Sequence, residues 1–334
     1  MKVYKTNQIR NIALIGNAGS GKTTLAEAML LEGGVINRKG EVTAKNTVSD
    51  FNPIEQEYGN SVFSSVLYAE YNDKKLNILD TPGMDDMSGN VASSLEVADM
   101  GLMLINASAG VEAGTESAFR LADSKQTPLM FLFNGLDHEN ANFDNAFEKC
   151  RSSYGNKVTV VQYPLETGPG FSAIIDVLKM KMYKYGKDGG QPQILDIPAS
   201  EKSKAEELQN QLFEMAAEND EALMERYFEE GSLSEEEIIK GMRIGIRQRD
   251  LFPVMCSCAK KSIGIGRLME FIGEVGPAPH EMPMRKLVAG KEVTMSESEI
   301  PSLFVFKTSI ESHVGEITFF KMMSGKVTES TDLI

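Results

Sequence analysis

The chain has 334 residues, 42% hydrophobic and 25% charged, ordinary proportions for a globular protein and enough length for two or three domains. Lys+Arg 34 against Asp+Glu 48 leaves a formal charge of −14, which argues against broad electrostatic binding of free DNA and leaves room only for local basic contacts with RNA. The longest apolar stretches fall far short of the roughly 20 residues that span a bilayer, and Met1-Lys2-Val3-Tyr4-Lys5 lacks the apolar core of a signal peptide. Cys150, Cys256 and Cys258 are an odd set without metal spacing. They are expected as buried free thiols in a reducing cytoplasm, a redox pair at Cys256 and Cys258 being the lesser alternative.

The first predicted element is a strand, Asn11-Ile12-Ala13-Leu14-Ile15. It feeds Gly16-Asn17-Ala18-Gly19-Ser20-Gly21-Lys22-Thr23, and a helix-forming run from Thr24 to Leu30 follows. A G-x-x-x-x-G-K-[ST] segment between strand and helix is a phosphate loop. Its glycines let successive N–H groups curl towards phosphate oxygens, Lys22 reaches the β/γ-phosphates, and the Thr23 hydroxyl suits Mg²⁺. A plain Gly-rich turn before a helix is the bland reading, and the strand and helix on either side disfavour it.

Val62 to Tyr71 and Lys74 to Leu79 read as adjacent strands around a turn at Asn72-Asp73. The second ends in Asp80-Thr81-Pro82-Gly83: an acid placed for a metal-nucleotide, a rigid turn and a hinge. Met100 to Ile105 is a strand, Ala113 to Ser124 a helix, and Leu129 to Phe133 a buried strand ending in Asn134-Gly135-Leu136-Asp137. This alternation implies an α/β fold, a P-loop NTPase doubly wound sheet with ligands at the carboxyl ends of the strands. An Asn-x-x-Asp pair at such an end resembles the base reader of guanine-nucleotide proteins, where the acid accepts two hydrogen bonds that adenine cannot donate.

Past residue 157 the pattern is interrupted. Val158 to Tyr163 reads as a strand, Phe171 to Met182 as a helix, Gly186 to Gln193 as a loop, and residues 200–247 as helices with Leu208, Leu212, Met215, Leu223 and Tyr227 at helical spacing. Residues 201–237 hold thirteen Asp/Glu and three Lys/Arg, either a solvated face or an acidic docking surface. Phe252 to Cys256 restores the strand pattern and Ile265 to Glu274 a closing helix. Pro277, Pro279 and Pro283 mark a linker, and Leu303 to Thr308 with Glu316 to Lys321 start a β domain. The expected organisation is a split nucleotide domain (1–157 and 252–280), an inserted α+β subdomain (158–251), and a linker with the truncated start of a β-barrel (281–334), as in a fragment of a longer protein.

The chain is similar to the N-terminal part of translation elongation factor G-like GTPases. Lys45-Asn46-Thr47-Val48-Ser49-Asp50, Glu55-Gln56-Glu57-Tyr58-Gly59, Asp80-Thr81-Pro82-Gly83, Ala109-Gly110-Val111-Glu112, the stretch Ser203 to Leu223, and Val314-Gly315-Glu316-Ile317-Thr318-Phe319-Phe320 carry the likeness. Tetracycline-resistance-type ribosomal protection proteins share this core and are the runner-up. The resemblance implies GTP/GDP and Mg²⁺ as ligands, and the ribosome as partner, including stalk proteins through the acidic insert; it implies no membrane and no free DNA. By its motifs the nucleotide would be held by Gly16, Asn17, Ala18, Gly19, Ser20, Gly21, Lys22, Thr23, Thr24, Asp80, Thr81, Pro82, Gly83, Asn134, Asp137, Cys258 and Ala259, and the metal by Thr23, Ser61 and Asp80.

Several positions depart from the family pattern. Met84 stands where hydrolysing members carry a water-positioning His, and a thioether neither donates strongly nor shuttles a proton. No other His is near in sequence; the three are His138, His280 and His313. Asn17 and Gly19 replace a His and an Asp of the phosphate loop. Tyr58-Gly59-Asn60-Ser61-Val62 replaces Arg-Gly-Ile-Thr-Ile, Gly135 replaces a Lys, and Cys258-Ala259 replaces Ser-Ala. The resulting expectation is a ribosome-acting GTP-binding protein with slow or lost hydrolysis. The alternative is an active ribosome-dependent GTPase in translocation.

Overall fold

In the computed structural model, residues 2–283, 285–286, 292–293, 299–311 and 314–328 are described. Strand β1 (Ile9–Ile15) leads through the phosphate loop into α1 (Lys22–Glu32), and a long segment carrying the short α2 (Pro53–Tyr58) follows. Strands β2 (Ser65–Tyr71) and β3 (Lys74–Asp80) form a hairpin. Its two turn residues, Asn72 and Asp73, both take positive φ (43° and 57°), the local geometry that matches strand twist. Then come α3 (Ser88–Val97), β4 (Met100–Asn106), α4 (Ala113–Ser124), β5 (Leu129–Asn134), α5 (Phe143–Tyr154) and β6 (Val158–Val160).

Three further strands follow, β7 (Gln162–Pro164), β8 (Ala173–Asp176) and β9 (Lys181–Gly186), then β10 (Gly189–Leu195). Three helices come next, α6 (Lys202–Ala217), α7 (Glu221–Glu230) and α8 (Glu235–Gln248). Strand β11 (Phe252–Cys256) and α9 (Ile265–Val275) close this part.

The central sheet has the order β2-β3-β1-β4-β5-β11-β6, and every neighbouring pair is parallel except β2 with β3. Helices cover it, so its middle strands are apolar on both faces, the pattern of a buried parallel sheet. Ile12 to Ile15 of β1 and Leu129 to Phe133 of β5 are wholly buried. The sheet, the doubly wound P-loop architecture and the helix at Ala113–Ser124 agree with the sequence expectation.

The region after β6 does not follow it throughout. Phe171 to Met182, expected as a helix, is strand β8, a turn and the start of β9. Ala173–Asp176 is flanked on both edges, by β7 and β9, and all four residues are buried. The turn is closed by Asp176 Oδ1, which accepts from Lys179 N at 3.0 Å, and by Met180 in the left-handed region. Gly186 to Gln193, expected as a loop, is a tight turn plus most of β10, an irregular edge strand that tolerates Pro192. Val158 to Tyr163 is not one strand. It switches sheets at Val161: β6 pairs with β11 in the central sheet, whereas β7 joins the second sheet, β10-β9-β8-β7. Sheet pairing thus assigns Val158–Val160 to the central sheet, a few residues inside the expected start of the insert.

The helices α6, α7 and α8 bury Leu212, Leu223, Ile238, Met242 and Ile246 among themselves and the sheet. Ser234 caps α8 in a reciprocal box with Glu237. Arg267 on α9 reaches Asp176 on β8 (Nε–Oδ2 3.0 Å), both almost wholly buried, so an ion pair joins the second sheet to the closing helix. Cys150, Cys256 and Cys258 are free and buried. Burial pushes the Cys256 thiol well above its ordinary value and Cys258 to about 12, which makes a redox pair chemically unfavourable.

Beyond a short turn at Pro279–Glu281 come the two-residue strands β12 (Arg285–Lys286) and β13 (Glu292–Val293), then the long hairpin β14 (Ser302–Glu311) and β15 (Gly315–Ser324). Antiparallel strands here fit the start of a β-barrel. Lys321 on β15 bonds the Val97 carbonyl and pairs with Asp99 (2.5 Å), which docks the hairpin on the end of α3. His313 lies outside the described residues. Among the described residues no helix is long and apolar enough to cross a membrane.

Candidate nucleotide-binding site

The parallel strands β3, β1, β5 and β11 end on the same side of the sheet, and the loops that follow them carry the expected site residues. At the phosphate end, Lys22 and Thr23 form the first turn of α1. Gly21 sits at φ +94°, and a Cβ there would lie 2.4 Å from Asn134 Nδ2, so only glycine fits. The Lys22 ammonium donates to the carbonyls of Gly16 and Asn17, each at 2.9 Å. Burial lowers its pKa to about 8, against the pull of Asp80. An approaching phosphate would draw this ammonium off two neutral carbonyls onto charged oxygens.

Asp80 ends β3 with 1% of its surface exposed, and neither carboxylate oxygen has a hydrogen-bond partner. Burial pushes its pKa up to about 6; the nearby Asp50 carboxylate adds to the rise and the Lys22 ammonium offsets only part of it. The Thr23 and Ser61 hydroxyls lie 3.1 Å apart. A cavity of about 220 Å³ opens beside them, lined among others by Lys22, Thr23, Asp50, Ser61, Gly83 and Met84. Two hydroxyls and orphaned carboxylate oxygens form an all-oxygen donor set that suits Mg²⁺. Thr81 donates to the Leu14 carbonyl at 2.6 Å and fixes this turn on β1. Gly83 packs so closely that a Cβ would meet Lys22 Nζ at 2.4 Å. Thr24 and Gly19 also line the cavity.

Three acids that the sequence reading did not single out shape this end. Asp50 is buried, its Oδ1 is unpartnered, and burial raises its pKa. Glu27, wholly buried on α1, accepts from the backbone of Gly40 (2.7 Å) and Val48 (2.5 Å). Glu55 on α2 accepts from Val62 and Phe63, both at 3.0 Å. These two carboxylates pin the segment that delivers Ser61. Asp50 and Glu55 lie in two of the segments that carry the family likeness, and Glu55 also stands three residues after Asn52, a capping-box spacing; nothing local distinguished Glu27.

At the base end, Asn134 is fully engaged. Its Nδ2 donates to the Ser20 carbonyl (2.9 Å), and its Oδ1 accepts from Ala259 N (3.0 Å) and Ser257 Oγ (3.2 Å). One side chain thereby ties the phosphate loop to the loop after β11. Asp137 faces Lys261 at 3.1 Å. Burial alone would raise its pKa, but the Cys258 thiol and the Lys261 ammonium hold it below the usual carboxylate value. Cys258 and Ala259 lie at the start of the same turn. Asn17, Ala18 and Pro82 are in place on the loop and turn but make no side-chain contact that bears on binding. Of the expected residues, Gly19, Gly21, Lys22, Thr23, Thr24, Ser61 and Gly83 line the phosphate-end cavity, and Asn134, Asp137, Cys258 and Ala259 meet across the loops after β5 and β11.

The Elongation factor Tu GTP binding domain family matches residues 7–278. The chain is 32% identical over 321 residues to an elongation factor G-like protein of Thermotoga maritima, an alignment covering 95% of this chain and 45% of that one. A crystal structure of a protein from Thermus thermophilus superposes with a TM-score of 0.85 at 29% identity, covering 96% of this chain and 46% of the other. The chain thus spans about half the length of these relatives. With the phosphate loop, the strand-end acid and the strand order all in place, the chain belongs to the elongation factor Tu GTP-binding-domain family, within its elongation factor G-like branch.

Proposed function

We propose that this chain is the GTP-binding part of an elongation factor G-like protein that acts on the ribosome in the cytoplasm and hydrolyses GTP slowly or not at all. The observation that carries the second half is Met84. It follows Gly83 directly, caps the short turn Asp85–Met87, and lines the phosphate-end cavity beside Lys22, Thr23 and Ser61. A group that positions the attacking water must accept or donate a hydrogen bond there, and a thioether does neither well. Thr23, Ser61 and Asp80 would hold Mg²⁺, which supplies charge neutralisation for the triphosphate when bound. Lys22 and the loop N–H groups would orient the phosphates, while Asn134 and Asp137 would hold the guanine. Binding is thereby provided for, and the chemical step lacks its orienting group.

Docking to a ribosomal stalk protein is assigned to the insert. Glu206, Glu207 and Glu214 are exposed on α6 and Glu218 at its C-cap, and Phe228 on α7 is 78% exposed among Glu225, Glu229 and Glu230. An exposed aromatic in an acidic field offers both an anchor and a steering charge.

The test is GTP turnover by the full-length protein on ribosomes, beside Met84→His and an ordinary His-bearing factor. The expected unaltered rate is about 10²–10⁴-fold below the His-bearing factor, with partial recovery in Met84→His and more in Met84→His combined with Gly19→Asp. Equal turnover by the unaltered protein would overturn the hydrolysis reading.

A further inference from the structure

We infer that Lys261 is a positioning residue for base recognition: its ammonium holds the Asp137 carboxylate in the one orientation that can accept two donors from guanine. The inference deepens the guanine reading proposed for Asp137 and rests on it.

The geometry starts with two segments brought side by side. Asp137 stands three residues beyond Asn134, at the end of β5. Lys261 ends the single turn Ala259–Lys261 that follows β11. Their charged atoms, Nζ and Oδ2, are 3.1 Å apart, with the side chains 30% and 16% exposed. Within Asn134-Gly135-Leu136-Asp137 nothing else can brace the acid. Gly135 takes φ +73°, and a Cβ built on it meets no atom within 4 Å, so that side of the segment is open. Leu136 is buried in the core.

The turn that carries Lys261 is itself held from outside. Lys39, in the segment after α1, donates to the Ala259 carbonyl at 2.9 Å, to the Lys260 carbonyl and to Ser262 Oγ at 3.3 Å. Asn134 accepts from Ala259 N on the opposite side of that turn. Lys261 therefore projects from a clamped loop, and the order imposed on it passes to Asp137.

An ammonium occupies one of the roughly four acceptor positions of a carboxylate. Asp137 keeps room for the two parallel N–H donors of a guanine edge while Lys261 stays bonded. The charged and titratable groups facing Asp137 are Lys261 and Cys258, both from the loop after β11, besides its own backbone N–H. Without Lys261 the carboxylate would retain a weak thiol donor and its burial, so it would take up a proton at higher pH. Recognition of guanine would then fail earlier on acidification, because a protonated acid presents a donor to donors.

The experiment compares the full-length protein with Lys261→Met, which keeps the length of the stem without the charge, and with Lys261→Arg. Affinities for GDP, IDP and ADP are measured from pH 8 down to about pH 4, the range in which a carboxylate released from its lowered pKa begins to take up a proton. IDP lacks the exocyclic amine, so the GDP/IDP ratio reports the orientation of the carboxylate. For Lys261→Met, GDP affinity is expected to fall about tenfold, the scale of one charge-assisted hydrogen bond. The GDP/IDP ratio should narrow and the acid limb of GDP binding should move to higher pH, because burial would then act on the carboxylate without the opposing ammonium. Lys261→Arg should restore both. An unaltered ratio and acid limb in a folded Lys261→Met protein overturn the inference while leaving guanine recognition intact. Tighter GDP binding by Lys261→Met also overturns it, since the ammonium would then be a competitor of the base. Equal affinity of the unaltered protein for ADP and GDP removes the guanine reading itself, and the role of Lys261 falls with it.

Discussion

The two ends of the nucleotide cleft are built on opposite principles. At the base end every polar group of Asn134 is engaged, and Asp137 is flanked by Lys261 and Cys258. At the phosphate end Asp80 has two orphaned oxygens, Asp50 has one, and the Ser20 hydroxyl is buried without a partner. Unsatisfied buried polar groups cost stability, and each needs a reason. On the proposed reading these groups would hold a metal and phosphates, whereas the base end would need no rearrangement to meet its ligand. Folding would then prepare the surface that discriminates between bases, and ligand binding would complete the surface that carries charge. Glu27 and Glu55 extend this logic: they hold the Ser61 segment near the metal position through backbone donors, with no ligand required.

The comparison is broken most sharply at Asp80. Asp80→Asn removes the only carboxylate among the assigned metal-binding residues, and we expect Mg²⁺-dependent GTP affinity to fall by about 100-fold, read by titration with and without Mg²⁺. The same substitution should stabilise the ligand-free protein at neutral pH. The folded Asp80 has its pKa raised to about 6, so the folded state holds the proton more tightly than the unfolded chain does. Its ionisation therefore costs folding stability above pH 6, and the cost disappears as pH falls towards 4. A rise of about two units corresponds to about 3 kcal/mol; the neutral amide, still short of partners, should recover about 1–2 kcal/mol of it. For the unaltered protein the sign reverses for ligand: Mg²⁺ prefers the carboxylate, so metal-dependent affinity should drop below pH 6. A destabilised Asp80→Asn protein at pH 7.5 would contradict the claim that this end is built at the expense of the free fold.

Asn134→Ala attacks the satisfied end. It leaves the buried Ser20 carbonyl, the Ala259 N–H and the Ser257 hydroxyl without their shared partner. Stability is expected to fall by about 2–3 kcal/mol, seen as a lower melting temperature without any ligand. Loss of GTP affinity at unchanged melting temperature would mean that Asn134 serves the ligand and not the frame.

Sequence alone revealed the contiguous parts of this site and missed the parts assembled by packing. Gly16 to Thr23, Asp80 to Gly83 and Asn134 to Asp137 each close an apolar strand, so local pattern and chemistry coincide. Asp50, Glu27, Lys39 and Lys261 act on residues brought near by the fold, and no spacing rule foretells such partners. The misread fold elements have a related cause. Phe171 to Met182 contains β8, a short strand buried on both faces, for which periodicity cannot separate strand from helix. The turn after it rests on Met180 at φ +49°, where neither Gly nor Pro advertises a break. Val161 sits within one apolar run, yet there the chain leaves one sheet for another; only pairing partners define such a point.

The smallest expected effect comes from Cys258→Ser. The thiol is wholly buried and faces Asp137. A hydroxyl is a better donor than a thiol, so the variant should hold the Asp137 carboxylate still further below its ordinary pKa. Because Lys261 and the clamped turn already fix that carboxylate, the gain in GDP affinity should stay below about threefold, and stability should change by less than about 1 kcal/mol. The shorter C–O bond leaves slightly less packing in a close-fitting pocket, which offsets part of the better hydrogen bond. Calorimetric titration with GDP and a thermal melt of the same sample measure both quantities. A tenfold gain would show that the base end is not in its working shape before the nucleotide arrives. The difference between the two ends would then be one of degree, with Asp137, like Asp80, waiting for its ligand.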